Sequence, residues 1–284
     1  MTGAPGTGDA AWAPRRARTA AGVQAATGTR ATAGARTAAG ARAERGFDPR
    51  GFAAALLDLD GVITDTASLH ARCWKRALDD FLARWSARTG RRLRAFDPLE
   101  DYLRHIDGKP RIDGARDFAA ARGLDPTLPE VRRDLEEVAR RKDALFSEAL
   151  RKEGVQVFEG SVRFLRYVRA KGLRTAVVSS SHHAEEILRA ASLLELFDAR
   201  VDGHLIDRLG LPGKPAPDTF LHAAARLAVE PGRAFVAEDA LAGVEAGRAG
   251  GFGLVIGVAR RAAPEALRAA GADLVVGDLG ELVP

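Results

Sequence analysis

Asp58 and Asp60 stand one residue apart at the end of an unbroken apolar run, in the stretch LLDLDGVITDT (56–66). Along a strand, residues i and i+2 point to the same face, so the two carboxylates share one side. Two like charges at the mouth of a buried strand repel each other, and such a pair demands a cation, a shared proton or a reaction. Three further signals lie downstream: the hydroxyls of Ser179, Ser180 and Ser181 in VVSSS, Lys214 in GKPAPD, and Glu238-Asp239 in VAEDALAG. Carboxylates at 58, 60, 238 and 239, converging with one lysine and several hydroxyls, suit Mg²⁺, which takes oxygen ligands and binds through a few carboxylates plus substrate phosphate. Lys214 and Ser179, with backbone amides at a helix N-terminus, can hold phosphoryl oxygens. Singly, each signal has an ordinary explanation as a helix cap or a surface turn. All of them in this order point to phosphoryl transfer.

These groups meet only if the strands carrying them lie side by side. The apolar runs at 52–60, 173–180, 199–203, 234–239, 253–258 and 273–278 read as strands. Most are apolar on both faces, as parallel strands covered by helices are. Amphipathic helices are expected at 161–171, 183–194, 217–229, 241–249 and 264–270. This alternation predicts an α/β fold, a doubly wound parallel sheet. Sites in such sheets lie at the carboxyl ends of the strands, where Asp58, Ser179 and Asp239 fall. The long stretch between the first two strands holds no strand-like run. Its segment 67–85 presents Leu69, Cys73, Ala77, Phe81 and Trp85 at i, i+4 spacing, an apolar helical face. Helical patterns recur at 98–106, 111–122 and 130–152. A crossover of this length needs its own core, so 66–153 is expected to be an inserted α-helical cap domain. Residues 47–65 and 154–284 would then form the core domain, re-entered at Val157-Phe158-Glu159-Gly160.

Composition narrows the setting. Of 284 residues, 46% are hydrophobic, and the formal net charge is +5. That excess sits entirely in residues 1–46, whose seven arginines face only Asp9 and Glu44, while the rest of the chain is balanced. The body therefore offers no basic face for nucleic acid, and no apolar run is long enough to span a membrane. The Ala/Gly/Arg-rich segment 1–46 has too few large apolar side chains to offset ordering entropy, and is expected to be a disordered tail. It lacks the continuous apolar stretch of a secretory signal. The single cysteine, Cys73, rules out an internal disulfide and fits a reducing cytoplasm.

The motif set resembles the haloacid dehalogenase superfamily over about residues 52–281, and within it the β-phosphoglucomutase group. DLDGVITDTASLHARCW is similar to that group through Thr66, His70 and Trp74. DGKPR (107–111) resembles its cap loop ending in a phosphate-binding arginine, here Arg111, and RRKDALF (140–146) the cap helix that supplies a lysine, here Lys142. The chain departs from the group in extra sequence around 86–101, and in His182 and His183 where the group commonly shows Lys and Asn. The resemblance implies Asp58 as nucleophile, Asp60 as general acid/base, a Mg²⁺ site at Asp58, Asp60, Glu238 and Asp239, and phosphate binding by Ser179, Ser180, Ser181 and Lys214. Substrate contacts would come from Thr66, His70, Trp74, Arg111 and Lys142. The implied activity is interconversion of β-D-glucose 1-phosphate and glucose 6-phosphate through an aspartyl-phosphate. A sugar-phosphate phosphatase is the alternative, and a non-catalytic sugar-phosphate sensor a third. The expected partner is a small sugar phosphate, with no nucleic acid or membrane, acting on a cytoplasmic monomer.

Overall fold

The computed structural model describes residues 47–284; the expectation of a disordered tail at 1–46 lies outside them. Six strands, β1 (Ala54–Leu57), β2 (Arg174–Val178), β3 (Ala199–Val201), β4 (Ala234–Glu238), β5 (Leu254–Val258) and β6 (Leu274–Val276), form one sheet in the order β3-β2-β1-β4-β5-β6. Every pairing is parallel. Strand β1 sits centrally, with Leu57 level with Val177 on one side and Ala237 on the other. The strand order reverses there, which opens a crevice at the carboxyl ends.

The period of two along each strand divides the core. Ala55, Leu57, Val177, Phe235 and Ala237 pack to one face of the sheet. Ala54, Leu56, Ala176, Val178 and Val236 pack to the other, against Phe220. Helices α4 (Glu159–Ala170), α5 (Ala184–Ala190), α6 (Gly203–Leu209), α7 (Asp218–Arg226), α8 (Leu241–Ala249) and α9 (Pro264–Ala270) follow the insertion and interleave with the later strands. Between β1 and α4 the regular elements are all helical, apart from isolated bridges at Asp60, Thr64 and Val157: α1 (Ala67–Thr89), a π-helical turn (Tyr102–Ile106), α2 (Arg111–Ala121) and α3 (Pro129–Glu153). Leu69, Cys73, Ala77 and Phe81 of α1 are buried as their spacing predicts, and Trp85 is half-buried. The insertion's Phe81, Phe118, Leu135 and Phe146 join the sheet-face residues in one continuous apolar cluster.

Strands β1 and β2 stop just before Asp58 and Ser179, whereas β4 keeps Glu238 in its ladder, level with Gly257. One element escaped the pattern. The run 199–203 stops pairing at Val201, and Asp202 instead accepts a hydrogen bond from the Leu205 amide (2.9 Å), starting α6 as its N-cap.

Candidate active site

Asp58 follows β1 directly, and its backbone amide still bonds to the Ala237 carbonyl, so the sheet itself fixes its position. Lys214, from the loop before α7, reaches it: Nζ lies 2.5 Å from Asp58 Oδ1 and 2.5 Å from Glu238 Oε1, and donates also to the Val178 carbonyl (3.2 Å). All three charged groups are buried. Burial pushes the Asp58 carboxyl well up, with the Glu238 and Asp60 charges adding to the effect and Lys214 opposing it. Burial works against the Lys214 ammonium, but Asp58 and Glu238 outweigh it and hold it above its ordinary value. Glu238 Oε2 accepts from the Ala240 amide at 3.0 Å, which locks its rotamer.

Asp60 has a different environment. Its Oδ1 accepts from the Thr66 hydroxyl (2.5 Å) and its Oδ2 from the Ser179 hydroxyl (3.0 Å). His70 Nε2 stands 3.3 Å from Oδ1 without completing a hydrogen bond. Burial would push Asp60 up, but His70, Thr66 and Ser179 outweigh it and hold the carboxyl well below the usual carboxylate range. Thr66 occupies the N-cap position of α1 yet makes no capping bond; its hydroxyl serves Asp60 instead. Behind the ring, Lys142 Nζ lies 2.6 Å from His70 Nδ1, and the imidazole stacks on Phe146 at 4.0 Å. An ammonium donating to Nδ1 leaves the ring proton on Nε2, facing Asp60.

Burial, then the charge of Arg111, lowers Lys142 from 10.5 to about 7; burial and Lys142 lower His70 to about 4. In the unfolded chain Lys142 keeps its proton up to its ordinary value. Between these two pH values the unfolded state therefore binds more protons, and folding gains stability as pH rises. Lys142→Met should remove this gain. Melting temperatures of the two proteins should diverge in favour of wild type from pH 7 upward; a constant difference would contradict the buried-lysine assignment.

The insertion closes the cleft from the opposite side. Trp74, Arg111 and Lys142 line it together with Asp58, Asp60 and Asp239. The cleft offers about 580 Å³ of empty volume, the open solvent at its mouth included. Arg111 Nη2 lies 2.7 Å from Asp143 Oδ1, an oxygen that also lies 2.8 Å from His183 Nε2, so Asp143 joins the insertion to the loop after β2. The serines are less free than their sequence suggests. The Ser180 hydroxyl donates to the Gly108 carbonyl (2.9 Å), and the Ser181 hydroxyl accepts from the His183 amide (3.2 Å). Sequence reasoning missed Tyr102, Asp107 and Asp143, which line or flank the cleft from the insertion. Both aspartates lie inside the quoted motifs, Asp107 in DGKPR and Asp143 in RRKDALF, but no spacing rule marks them.

The acidic cluster answers to a cation test. Oxygens of Asp58, Glu238 and Asp239 lie within 4.8 Å of one another. Asp239 Oδ2 is buried without a hydrogen-bond partner, and burial with the Asp107 and Glu238 charges pushes that carboxyl well up. Gly61, at φ +99°, passes so close that a Cβ there would lie 1.9 Å from Asp239 Oδ2. Lys214 alone cannot balance three carboxylates. An all-oxygen donor set with one orphaned anionic oxygen fits a hard divalent ion such as Mg²⁺. The Asp60 carboxylate lies outside this group, turned to Thr66 and Ser179, so Asp60 could join a metal only through its main-chain carbonyl.

A family model described as haloacid dehalogenase-like hydrolase matches residues 52–251. The chain belongs to this family. Among haloacid dehalogenase-like relatives, a β-phosphoglucomutase of Mycobacterium bovis is 46% identical over 243 residues, 83% of this chain and 93% of that protein. A phosphorylated carbohydrates phosphatase of Thermotoga maritima is 30% identical over 207 residues, 72% of this chain and 84% of its own. A crystal structure of β-phosphoglucomutase from Clostridium difficile shares the fold, with a TM-score of 0.64 at 23% identity, covering 81% of this chain and 93% of that one. No described helix is long and apolar enough to cross a membrane.

Proposed function

We propose that the protein is a β-phosphoglucomutase, interconverting β-D-glucose 1-phosphate and glucose 6-phosphate through an aspartyl-phosphate and a glucose 1,6-bisphosphate intermediate. The observation that carries this reading is the division of labour between two neighbouring aspartates. Asp58 sits against Lys214 in the acidic cluster, while Asp60 is turned away to Thr66, Ser179 and His70. Two carboxylates with environments this different suit two different roles. The similarity to the Mycobacterium bovis enzyme supports the choice of substrate.

In the first half-reaction, starting from phosphorylated Asp58, Asp60 takes the proton of the sugar 6-hydroxyl as that oxygen attacks phosphorus, and the bond from phosphorus to Asp58 breaks. The bisphosphate then reorients. Asp58 attacks the 1-phosphate, the bond from phosphorus to O1 breaks, and Asp60 returns its proton to O1. Low proton affinity makes Asp60 a carboxylate at neutral pH, as the first half-reaction requires. Lys214 neutralises phosphoryl charge beside the nucleophile. Asp58, Glu238 and Asp239 would hold Mg²⁺, which when bound offsets the repulsion between phosphate and a carboxylate nucleophile.

Residues 66–153 act in this reading as a cap domain that excludes water while the bisphosphate turns. Thr66, at the junction with α1, couples closure to the placement of Asp60. Arg111 grips the distal phosphate, a role suited to a planar fork of donors, and gives up Asp143 in doing so. The enzyme acts in this reading as a monomer, and in a reducing cytoplasm, the latter in keeping with its single cysteine.

Product analysis with β-glucose 1-phosphate, Mg²⁺ and a trace of bisphosphate tests the whole reading, since a mutase makes glucose 6-phosphate faster than free phosphate. Arg111→Ala should cut transfer between sugars by roughly a hundredfold or somewhat more. Hydrolysis of acetyl phosphate, which has no distal phosphate, should change little. Phosphate release matching glucose 6-phosphate formation in wild type would make the protein a phosphatase.

A further inference from the structure

Arg261, in the loop after β5, belongs to none of the motifs above, yet it reaches from the sheet side into the insertion. Its Nη2 donates to the Pro98 carbonyl at 3.2 Å, and its guanidinium lies over the Tyr102 ring at 4.8 Å. Pro98 falls in the stretch around 86–101 by which the chain departs from the β-phosphoglucomutase group. The remaining Nη1 is buried and has no hydrogen-bond partner.

An anionic counterpart rides on the turn that Arg261 covers. The Asp107 amide closes that π-helical turn on the Tyr102 carbonyl at 2.9 Å. Asp107 Oδ2 is likewise buried without a partner. Burial and the Glu238 charge raise this carboxyl while Arg261 opposes them, so the guanidinium acts on it at short range. A buried donor and a buried acceptor, each left unmade, cost free energy. A small movement of the turn toward the loop after β5 lets each satisfy the other.

The insertion is not fastened evenly to the sheet. The loop after β2 lies to one side of β1, and there Asp143 joins His183 and Ser180 joins the Gly108 carbonyl. The loop after β5 lies to the other side, where Pro98 is tethered but the opposite charges stay apart. We infer that Arg261 is a positioning residue whose guanidinium pairs with the Asp107 carboxylate as the insertion completes its closure, a latch that seals phosphorylated Asp58 from water. This rests on the aspartyl-phosphate and cap-domain reading of the same cleft.

The test loads the protein with phosphate from acetyl phosphate and follows, by intact-protein mass, how long Asp58 stays phosphorylated. It compares wild type, Arg261→Met, Arg261→Lys, Asp107→Asn and the double variant of Arg261→Met with Asp107→Asn. Arg261→Met and Asp107→Asn should each shorten the lifetime roughly tenfold, within the range for a coupled pair. The double variant should lose no more than the worse of the two. Arg261→Lys, which keeps the charge without the planar fork, should retain most of the lifetime. Loading of Arg261→Met should match wild type, since uptake from a small donor needs no closed cap. Asp107→Asn should melt no lower than wild type, because the pair is not made in the free protein.

Unchanged lifetimes in both single variants, losses that multiply in the double variant, or equal losses in Arg261→Met and Arg261→Lys overturn the latch alone. So do slowed loading of Arg261→Met and a lower melting temperature for Asp107→Asn, which would mark a structural role. A phosphorylated wild type that passes nothing to a sugar phosphate overturns the mutase reading and leaves the latch standing. A wild type that takes up no phosphate overturns the aspartyl-phosphate, and the latch with it.

Discussion

Asp58→Asn is expected to lower turnover by at least about four orders of magnitude, the scale of losing a covalent nucleophile. An amide oxygen does not attack phosphorus, and the variant should no longer take up phosphate from acetyl phosphate, as intact-protein mass measurement would show. The fold should survive. Asp58 is buried beside Glu238 and near Asp60, and both charges push its carboxyl up, so a neutral isostere relieves repulsion. Lys214 keeps Glu238 and the Val178 carbonyl as partners. An unchanged or higher melting temperature with lost turnover is the expected pair of results. A variant that retains a few per cent of activity would exclude the aspartyl-phosphate.

Asp60→Ala should slow transfer between sugar oxygens by roughly three orders of magnitude, within the range for a positioned general acid/base. The effect should depend on the leaving group. Acetyl phosphate expels a carboxylate, which needs no proton, so phosphorylation of Asp58 by that donor should persist. Transfer onward to a sugar hydroxyl should fail. Thr66→Val should reproduce part of this loss, because it removes the 2.5 Å bond that orients Asp60, though Thr66 touches no reacting atom in this reading. Equal loss with both donors would mean that Asp60 supports the fold of the loop and not the proton.

The site residues on the sheet side were legible because each is tied to a strand end. Short runs apolar on both faces announce buried parallel strands, and a polar residue that ends such a run is placed at the crevice by topology alone. Asp58, Ser179, Glu238 and Asp239 follow from that rule, and the pairing of β1 between β2 and β4 carries it out. Thr66, His70, Trp74, Arg111 and Lys142 came from resemblance, since on helices their burial or charge reads equally well as ordinary core or surface. Helix α6 was not legible, because Val201-Asp202-Gly203 continues a strand pattern until Asp202 caps the next turn.

The sequence by itself determined the chemistry available: two same-face carboxylates, a lysine, hydroxyls and a sheet that gathers them. Hydrophobic periodicity is local and survives without knowledge of partners. Only the tertiary structure decided which oxygen meets which donor. It turned Asp60 to Thr66 and Ser179, left Asp239 and Asp107 with unpartnered oxygens, and joined Arg111 to Asp143 and His183. Of these contacts, Asp143 with His183 crosses from the helical insertion to the sheet side, and Ser179 with Asp60 joins residues 119 apart in the chain. They depend on the angle at which two packed layers meet, which no window of sequence encodes.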